Sequence, residues 1–237
     1  TEYLGFNNEN SRAMKKIVKL LGIALLLFTG GFIIWSFSNM RDRHKGYDTS
    51  LKIQAQHLSG LKAGFAAVPI TPEVPDRWED KNGDAQYNPK DGDTFTDLNG
   101  NGIFDAVWIA GFSNSKPANG IHDDTWARTM IIDDGKTRLA FVALDAIGFM
   151  NDDVVDVRKM IPHDAGISYT IITSTHTHEG PDLLGLWGEM PLKSGVNREY
   201  MEYVKIQIVQ SVQEAVNNMQ PARLEISEDL TGAVPMV

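Results

Sequence analysis

Tyr169-Thr-Ile-Ile-Thr-Ser-Thr-His-Thr-His-Glu-Gly-Pro-Asp182 is the stretch on which the reading of the chain turns. Its first half is β-branched and apolar enough to be a buried strand. Its second half places two histidines two residues apart, just before a Gly-Pro turn. In an extended chain residues i and i+2 point to the same side. His176 and His178 are therefore expected to leave the strand end on one face, a few ångströms apart. Two imidazoles so placed suit a metal ion or proton handling. The plainer alternative is a pair of surface histidines at a strand end.

Working backward, Arg138-Leu-Ala-Phe-Val-Ala-Leu-Asp145 is apolar on both faces and reads as a central strand. Asp134-Gly135 before it is a hairpin signal, which makes Thr129–Asp133 its antiparallel partner. Ala106–Phe112 and Leu61–Ile70 read as two further strands. Asn151–Ile161 reads as a helix capped by Asn151, and Asn197 caps a longer helix to about Met219. Met201, Val204, Ile208, Val212, Ala215 and Met219 fall on one stripe of that helix, the pattern of a helix laid on a sheet. Ala222–Ile226 is one more strand, and Asp182–Val196 a loop expected to lie over the site. Strands and helices alternate around a hairpin, so the fold class is α/β of the α+β kind, a mixed sheet covered by helices.

The N-terminal part is of another character. Leu20 to Phe37 is 18 residues without a charge, long enough to cross most of a bilayer. Arg12, Lys15, Lys16 and Lys19 precede it, which favours an inside N-terminus. The expected organisation is a disordered or vestigial 1–16, a transmembrane anchor or signal segment over 17–38, a linker over 39–60 and a catalytic domain over 61–237. The domain is placed outside the cytoplasm, periplasmic or at the cell surface, or secreted if the segment is cleaved. Met14-Lys-Lys-Ile-Val-Lys reads as a natural start, and Val237 follows a strand-like run, so the chain reads as a piece of a longer protein. The net charge of −9 argues against a nucleic-acid partner, since phosphate contacts need clustered Lys and Arg. With no cysteine, disulfides, Cys-ligated zinc and a thiol nucleophile are excluded.

Residues 73–105 hold nine acidic residues against three basic ones, so most of the net charge sits there. Asp97-Leu-Asn99-Gly-Asn101-Gly-Ile-Phe-Asp105 has oxygen side chains at positions 1, 3, 5 and 9 and Gly at 6, the spacing of a calcium loop. The acidic residue of position 12 is missing, because Trp108 stands there. Asp80-Lys-Asn82-Gly-Asp84 begins a second, less complete version, with Asp91 and Asp93 as supplements. Structural Ca2+ is expected at both, to order a long loop with few apolar residues. The alternative is a solvated Asp/Asn/Gly turn region without metal.

Three segments together resemble the neutral/alkaline non-lysosomal ceramidases and their bacterial relatives. They are Ala63-Gly-Phe-Ala-Ala-Val-Pro-Ile-Thr-Pro72, Gly120-Ile-His-Asp-Asp-Thr-Trp-Ala-Arg128 and Thr175-His-Thr-His-Glu-Gly-Pro181, the last similar to the family's T-H-T-H-S-G-P with Glu179 in place of Ser. The resemblance implies a zinc-dependent amidase acting on the N-acyl bond of a ceramide-like or other lipid-like substrate. It implies His176 as a zinc ligand, with His178 beside the metal as ligand or proton-handling group. The family's other ligands, a His, a Glu and a Tyr, and its Gly-Asp-Val-Ser-Pro segment come later in the chain and have no counterpart before Val237. His122 is a further catalytic candidate, from a turn able to approach the motif, and Asp145 is a candidate for orienting an imidazole. His44, His57 and His163 read as surface histidines. Two other readings stand beside this one: an amidohydrolase-type metallohydrolase using His-x-His, and a non-catalytic calcium-ordered surface domain.

Overall fold

The structure, a computed structural model, describes residues 2–48 and 60–225. The chain divides into two units, residues 1–48 and 49–237. The first is built on α1, Glu2–Asn39. The helix includes residues 2–16. Met14–Asn39 is long and apolar enough to cross a membrane, and the apolar window within it has no buried share. His57, residues 49–59 of the linker and Ile226 lie outside the described residues; the expected strand at Ala222–Ile226 does not form over 222–225, the short edge strand being Gln220–Pro221 just before it.

The second unit is organised by a five-stranded mixed sheet. Its strands are β1 (Lys62–Pro69), β4 (Trp126–Asp133), β5 (Arg138–Leu144), β6 (Tyr169–Ser174) and β7 (Gln220–Pro221), with β2 (Asp76–Glu79) and β3 (Thr94–Asp97) forming a separate antiparallel pair. The order across the main sheet is β6-β5-β4-β1-β7. The Asp134-Gly135 turn closes the β4–β5 hairpin in the expected place, with the Thr137 and Lys136 N–H groups donating to Asp134 Oδ1. β5 is central and pairs in parallel with β6, which requires a crossover, and α2 (Asn151–Met160) supplies it. Asn151 is the first helical residue of α2 and not its cap. Met150 holds the cap position without a side-chain bond, while Asp152 and Asp153 complement the helix dipole in the first turn.

α3 (Arg198–Asn217) begins as the sequence predicts, with Asn197 Oδ1 accepting from the Tyr200 N–H. Its stripe of Met201, Val204, Ile208, Val212 and Ala215 is buried against Ile131, Val142 and Leu144 of the sheet. The helix comes so close to β1 that a Cβ at Gly64 would fall 1.9 Å from the Ala215 carbonyl oxygen, so only glycine fits there. One polar pair crosses this core, Thr129 Oγ1 to Ser211 Oγ at 2.6 Å, and Ser211 is satisfied further by the Ile208 carbonyl. α2 is tied to α3 by Lys205, whose side chain is 4% exposed and reaches Asp153, Asp156 and Glu202 at 3.0–3.2 Å. Burial alone would pull that ammonium's pKa down, but the three carboxylates together push it above its ordinary value. The helices contact one another, and the side chains of Phe65, Met130, Phe141 and Ile171 stand on the alternate strand positions, along a shallow groove.

Ala106–Phe112 does not form the expected strand. It makes only isolated bridges, Trp108 to Pro117 and Ile109 to Pro181, because prolines on both partners remove the donors a ladder needs.

The loops at 80–88 and 97–105 are two copies of one unit. Asp76-Arg-Trp-Glu-Asp80-Lys-Asn82-Gly-Asp84-Ala-Gln-Tyr87-Asn88 aligns without a gap on Asp93-Thr-Phe-Thr-Asp97-Leu-Asn99-Gly-Asn101-Gly-Ile-Phe104-Asp105. Asp80 accepts from the N–H groups of Gly83 and Ala85, and Asp97 from those of Gly100 and Gly102, the equivalent positions. Those amides, Ala85 foremost for Asp80 and Gly102 for Asp97, hold both carboxyls below the usual carboxylate range. The copies also exchange support. Buried Asp76 binds the Leu98 and Asp105 N–H groups of the second loop; buried Asp93 binds the Lys81 and Asn88 N–H groups of the first. Trp78–Tyr87 and Phe95–Phe104 pair rings at equivalent positions, and Tyr87 and Phe104 meet across the copies at 4.2 Å with their planes tilted by 42°. With the β2–β3 ladder between them, the two loops are related by an approximate two-fold.

Candidate active site

The site grows from the end of β6. Beyond Ser174 the chain continues beside the end of β5, through Thr175 N–H to Leu144 O at 2.9 Å and His176 N–H to Ala146 O at 3.0 Å. His176 then takes φ +62°, in the left-handed region that costs a side-chain-bearing residue about 1–2 kcal/mol. The extended alternation expected to align the two histidines therefore ends before them. The turn achieves the proximity instead: the His176 and His178 rings are 5.1 Å apart and nearly perpendicular, at 77°.

Each ring is held on its Nδ1 side. His176 Nδ1 lies 2.7 Å from the Ile147 carbonyl oxygen, which can only accept. That bond puts the proton on Nδ1 and leaves the Nε2 lone pair free, the form in which histidine ligates metals. His178 Nδ1 is buried and has no hydrogen-bond partner among the described residues. It rests against Gly111, and the Phe112 ring lies 4.7 Å from the imidazole. The 108–112 segment reaches this place because Ala110 N–H donates to Gly180 O and Asp182 N–H to Trp108 O. On both imidazoles Nδ1 is thus the covered ring nitrogen.

Asp182 anchors the loop that follows. It is 1% exposed, and its two oxygens accept from Leu184 and Gly185 on one side and Trp187 and Gly195 on the other, at 2.9–3.2 Å. The loop in turn binds the segment beside His178, through Ser115 N–H to Gly188 O and Ser115 Oγ to Glu189 O. Sequence reasoning passed over Asp182, Gly111 and the Ile147 carbonyl. An aspartate directly after a Gly-Pro turn and before a Gly-rich loop was the one available signal.

Other expected site residues are placed differently. Asp145 does not orient an imidazole: its Oδ2 accepts from Arg128 at 2.6 Å and from the Trp126 N–H at 3.0 Å. A strand-end carboxylate beside its hairpin partner finds that partner's free N–H and guanidinium first. His122 is fully exposed and paired with Asp123 at 2.6 Å, a hydrogen bond that raises its pKa. His122, Asp145, Thr177 and Glu179 line a cleft of about 740 Å³, which His176 and His178 do not line. His163 is exposed, and His44 is half-buried in the first unit. Among the described residues no group of three or more His, Cys, Asp or Glu side chains comes together in a metal-holding cluster.

The sequence profile of the family "neutral/alkaline non-lysosomal ceramidase, N-terminal" matches residues 93–233. Among solved structures, the chain is similar to the neutral ceramidase from Pseudomonas aeruginosa, at 19% identity and a TM-score of 0.48, over 70% of this chain and 23% of that one. It is similar also to a structure described as ceramidase complexed with C2, at 19% identity and a TM-score of 0.48, over 70% of this chain and 22% of that one. The chain thus spans less than a quarter of the length of either.

Proposed function

This chain belongs to the neutral/alkaline non-lysosomal ceramidase family, and on that premise we propose that it supplies part of a zinc-dependent hydrolase site for N-acyl amides of lipid-like molecules. The observation that carries the reading is the His176–His178 pair, two rings 5.1 Å apart whose Nδ1 atoms are both occupied or enclosed. His176 Nε2 fits a zinc ion by tautomer, and His178, its ring 5.1 Å away, would share the ion or work beside it. Among the described residues no third His, Asp or Glu joins the pair in a cluster, so further ligands to a zinc ion would have to come from elsewhere in the whole protein. Zinc held there supplies Lewis-acid polarisation of a carbonyl and a bound water of lowered pKa. His178 would give a hydrogen bond to the developing oxyanion or a proton to the leaving amine. The helix Met14–Asn39 would hold the second unit at the outer surface of a membrane, where lipid-like amides are concentrated. The test is metal analysis of the whole protein together with its hydrolysis of an N-acyl sphingoid amide. Zinc loss on chelation with parallel loss of hydrolysis is expected; a protein that contains no zinc and still cleaves the amide would sink the reading.

For the paired loops we propose structural calcium, held by Asp97, Asn99, Asn101 and Asp105 in one and by Asp80, Asn82 and Asp84 in the other. The exchange of Asp76 and Asp93 between the loops supports ordering them as a unit. Weak extracellular sites of this kind fill at about 0.1–1 mM calcium. At a hundred times its dissociation constant a ligand stabilises its fold by about 2.7 kcal/mol. A thermal midpoint several degrees higher in calcium than in chelator is expected, together with a change in Trp78 emission. Identical melting in both buffers would remove calcium from the account.

A further inference from the structure

We infer that Gly111 is a positioning residue for the His178 imidazole, keeping its Nδ1 edge against bare backbone so that Nε2 alone faces outward. This rests on the reading of His178 as a working group of the proposed site. A Cβ built on Gly111 would lie 2.9 Å from His178 Nδ1, 3.1 Å from its Cβ and 3.2 Å from its Cγ. The last two contacts are at the root of the side chain, so rotating the ring does not relieve them. The Nδ1 atom is buried with no hydrogen-bond partner among the described residues, and the Phe112 ring lies 4.7 Å from the imidazole, centre to centre. The seat is delivered by the pairing of Ala110 N–H with Gly180 O, two residues past His178, so chain and seat are fixed to one another.

Gly111 also has φ +143°, which disfavours any side chain there whatever its neighbours. A double-mutant cycle separates the two effects, because backbone strain costs the same with or without the imidazole, whereas the ring contact does not. The experiment compares whole protein bearing Gly111→Ala, His178→Ala or both. Gly111→Ala is expected to lower kcat/KM for amide hydrolysis about as much as His178→Ala, roughly 10²-fold or more, with the double variant no lower than either. In urea, part of the fall in unfolding midpoint caused by Gly111→Ala should be recovered in the His178→Ala background. Strictly additive losses in both readouts would overturn the inference. In the unmodified protein a nuclear Overhauser contact between the Gly111 Hα and the His178 ring is expected. Its absence overturns the seat even if Gly111→Ala does not fold. Full activity in His178→Ala, with the stability coupling intact, would remove His178 from the chemistry and leave the seat standing.

Discussion

Asp182→Ala is expected to destabilise the second unit by about 3–5 kcal/mol, the range reached when a buried charged acceptor is removed from several donors at once. Four backbone N–H groups, those of Leu184, Gly185, Trp187 and Gly195, converge on the carboxylate. Alanine leaves them without an acceptor in a place that is 1% exposed, so water cannot readily replace it. Gly195 sits so tightly that a Cβ there would fall 1.7 Å from the Trp187 carbonyl, and the loop has little freedom to rearrange. Asp182→Asn is the informative companion. Its amide has one acceptor oxygen where the carboxylate has two, so one pair of N–H groups keeps a partner and the other faces an NH2. A loss of about half that of alanine is expected, read as a lower urea midpoint at unchanged slope. Hydrogen exchange should show lost protection within 183–196 before the sheet opens. Asp182→Ala melting with the unmodified protein would mean that the loop holds itself. Because Ser115 is bound to this loop, the segment carrying Gly111 and Phe112 should loosen with it, and the loop anchor is thereby linked to the His178 seat.

Those dependencies explain which parts of the fold were legible in the sequence. The hairpin at Asp134-Gly135, the central place of Arg138–Leu144 and the Asn197-capped amphipathic helix follow from local chemistry and periodicity, and the structure contains all three. The calcium-type spacing of both loops was readable as pattern. Their exchange of Asp76 and Asp93 was not, because it depends on two strands pairing across a distance. Long-range pairing also decides the misses. Ala106–Phe112 is apolar enough to be a strand, but its neighbours in space are Pro117 and Pro181. Asp145 stands where a site carboxylate would stand, but Arg128 and the Trp126 N–H reach it first. At the site itself, the residue types were readable and the geometry was not. A two-residue spacing predicts aligned side chains only while the backbone stays extended, and it stops being extended at His176.

That departure gives the second large effect. His176→Ala and His176→Gly are both expected to lose bound zinc and to lower amide turnover by more than about 10²-fold, the upper end for losing only an outer partner of a ligand. Their stabilities should differ. At φ +62° alanine keeps the left-handed strain of about 1–2 kcal/mol and loses the bond from Nδ1 to the Ile147 carbonyl, worth about 1 kcal/mol. Glycine loses the same bond and relieves the strain. His176→Gly should therefore unfold at a urea concentration close to that of the unmodified protein, with His176→Ala below it. A side chain whose removal leaves stability unchanged and empties the metal site is held in its conformation for the ligand and not for the fold. If His176→Gly retains zinc, the imidazole is not a ligand. If it is as unstable as His176→Ala, the left-handed backbone at this position belongs to the fold alone.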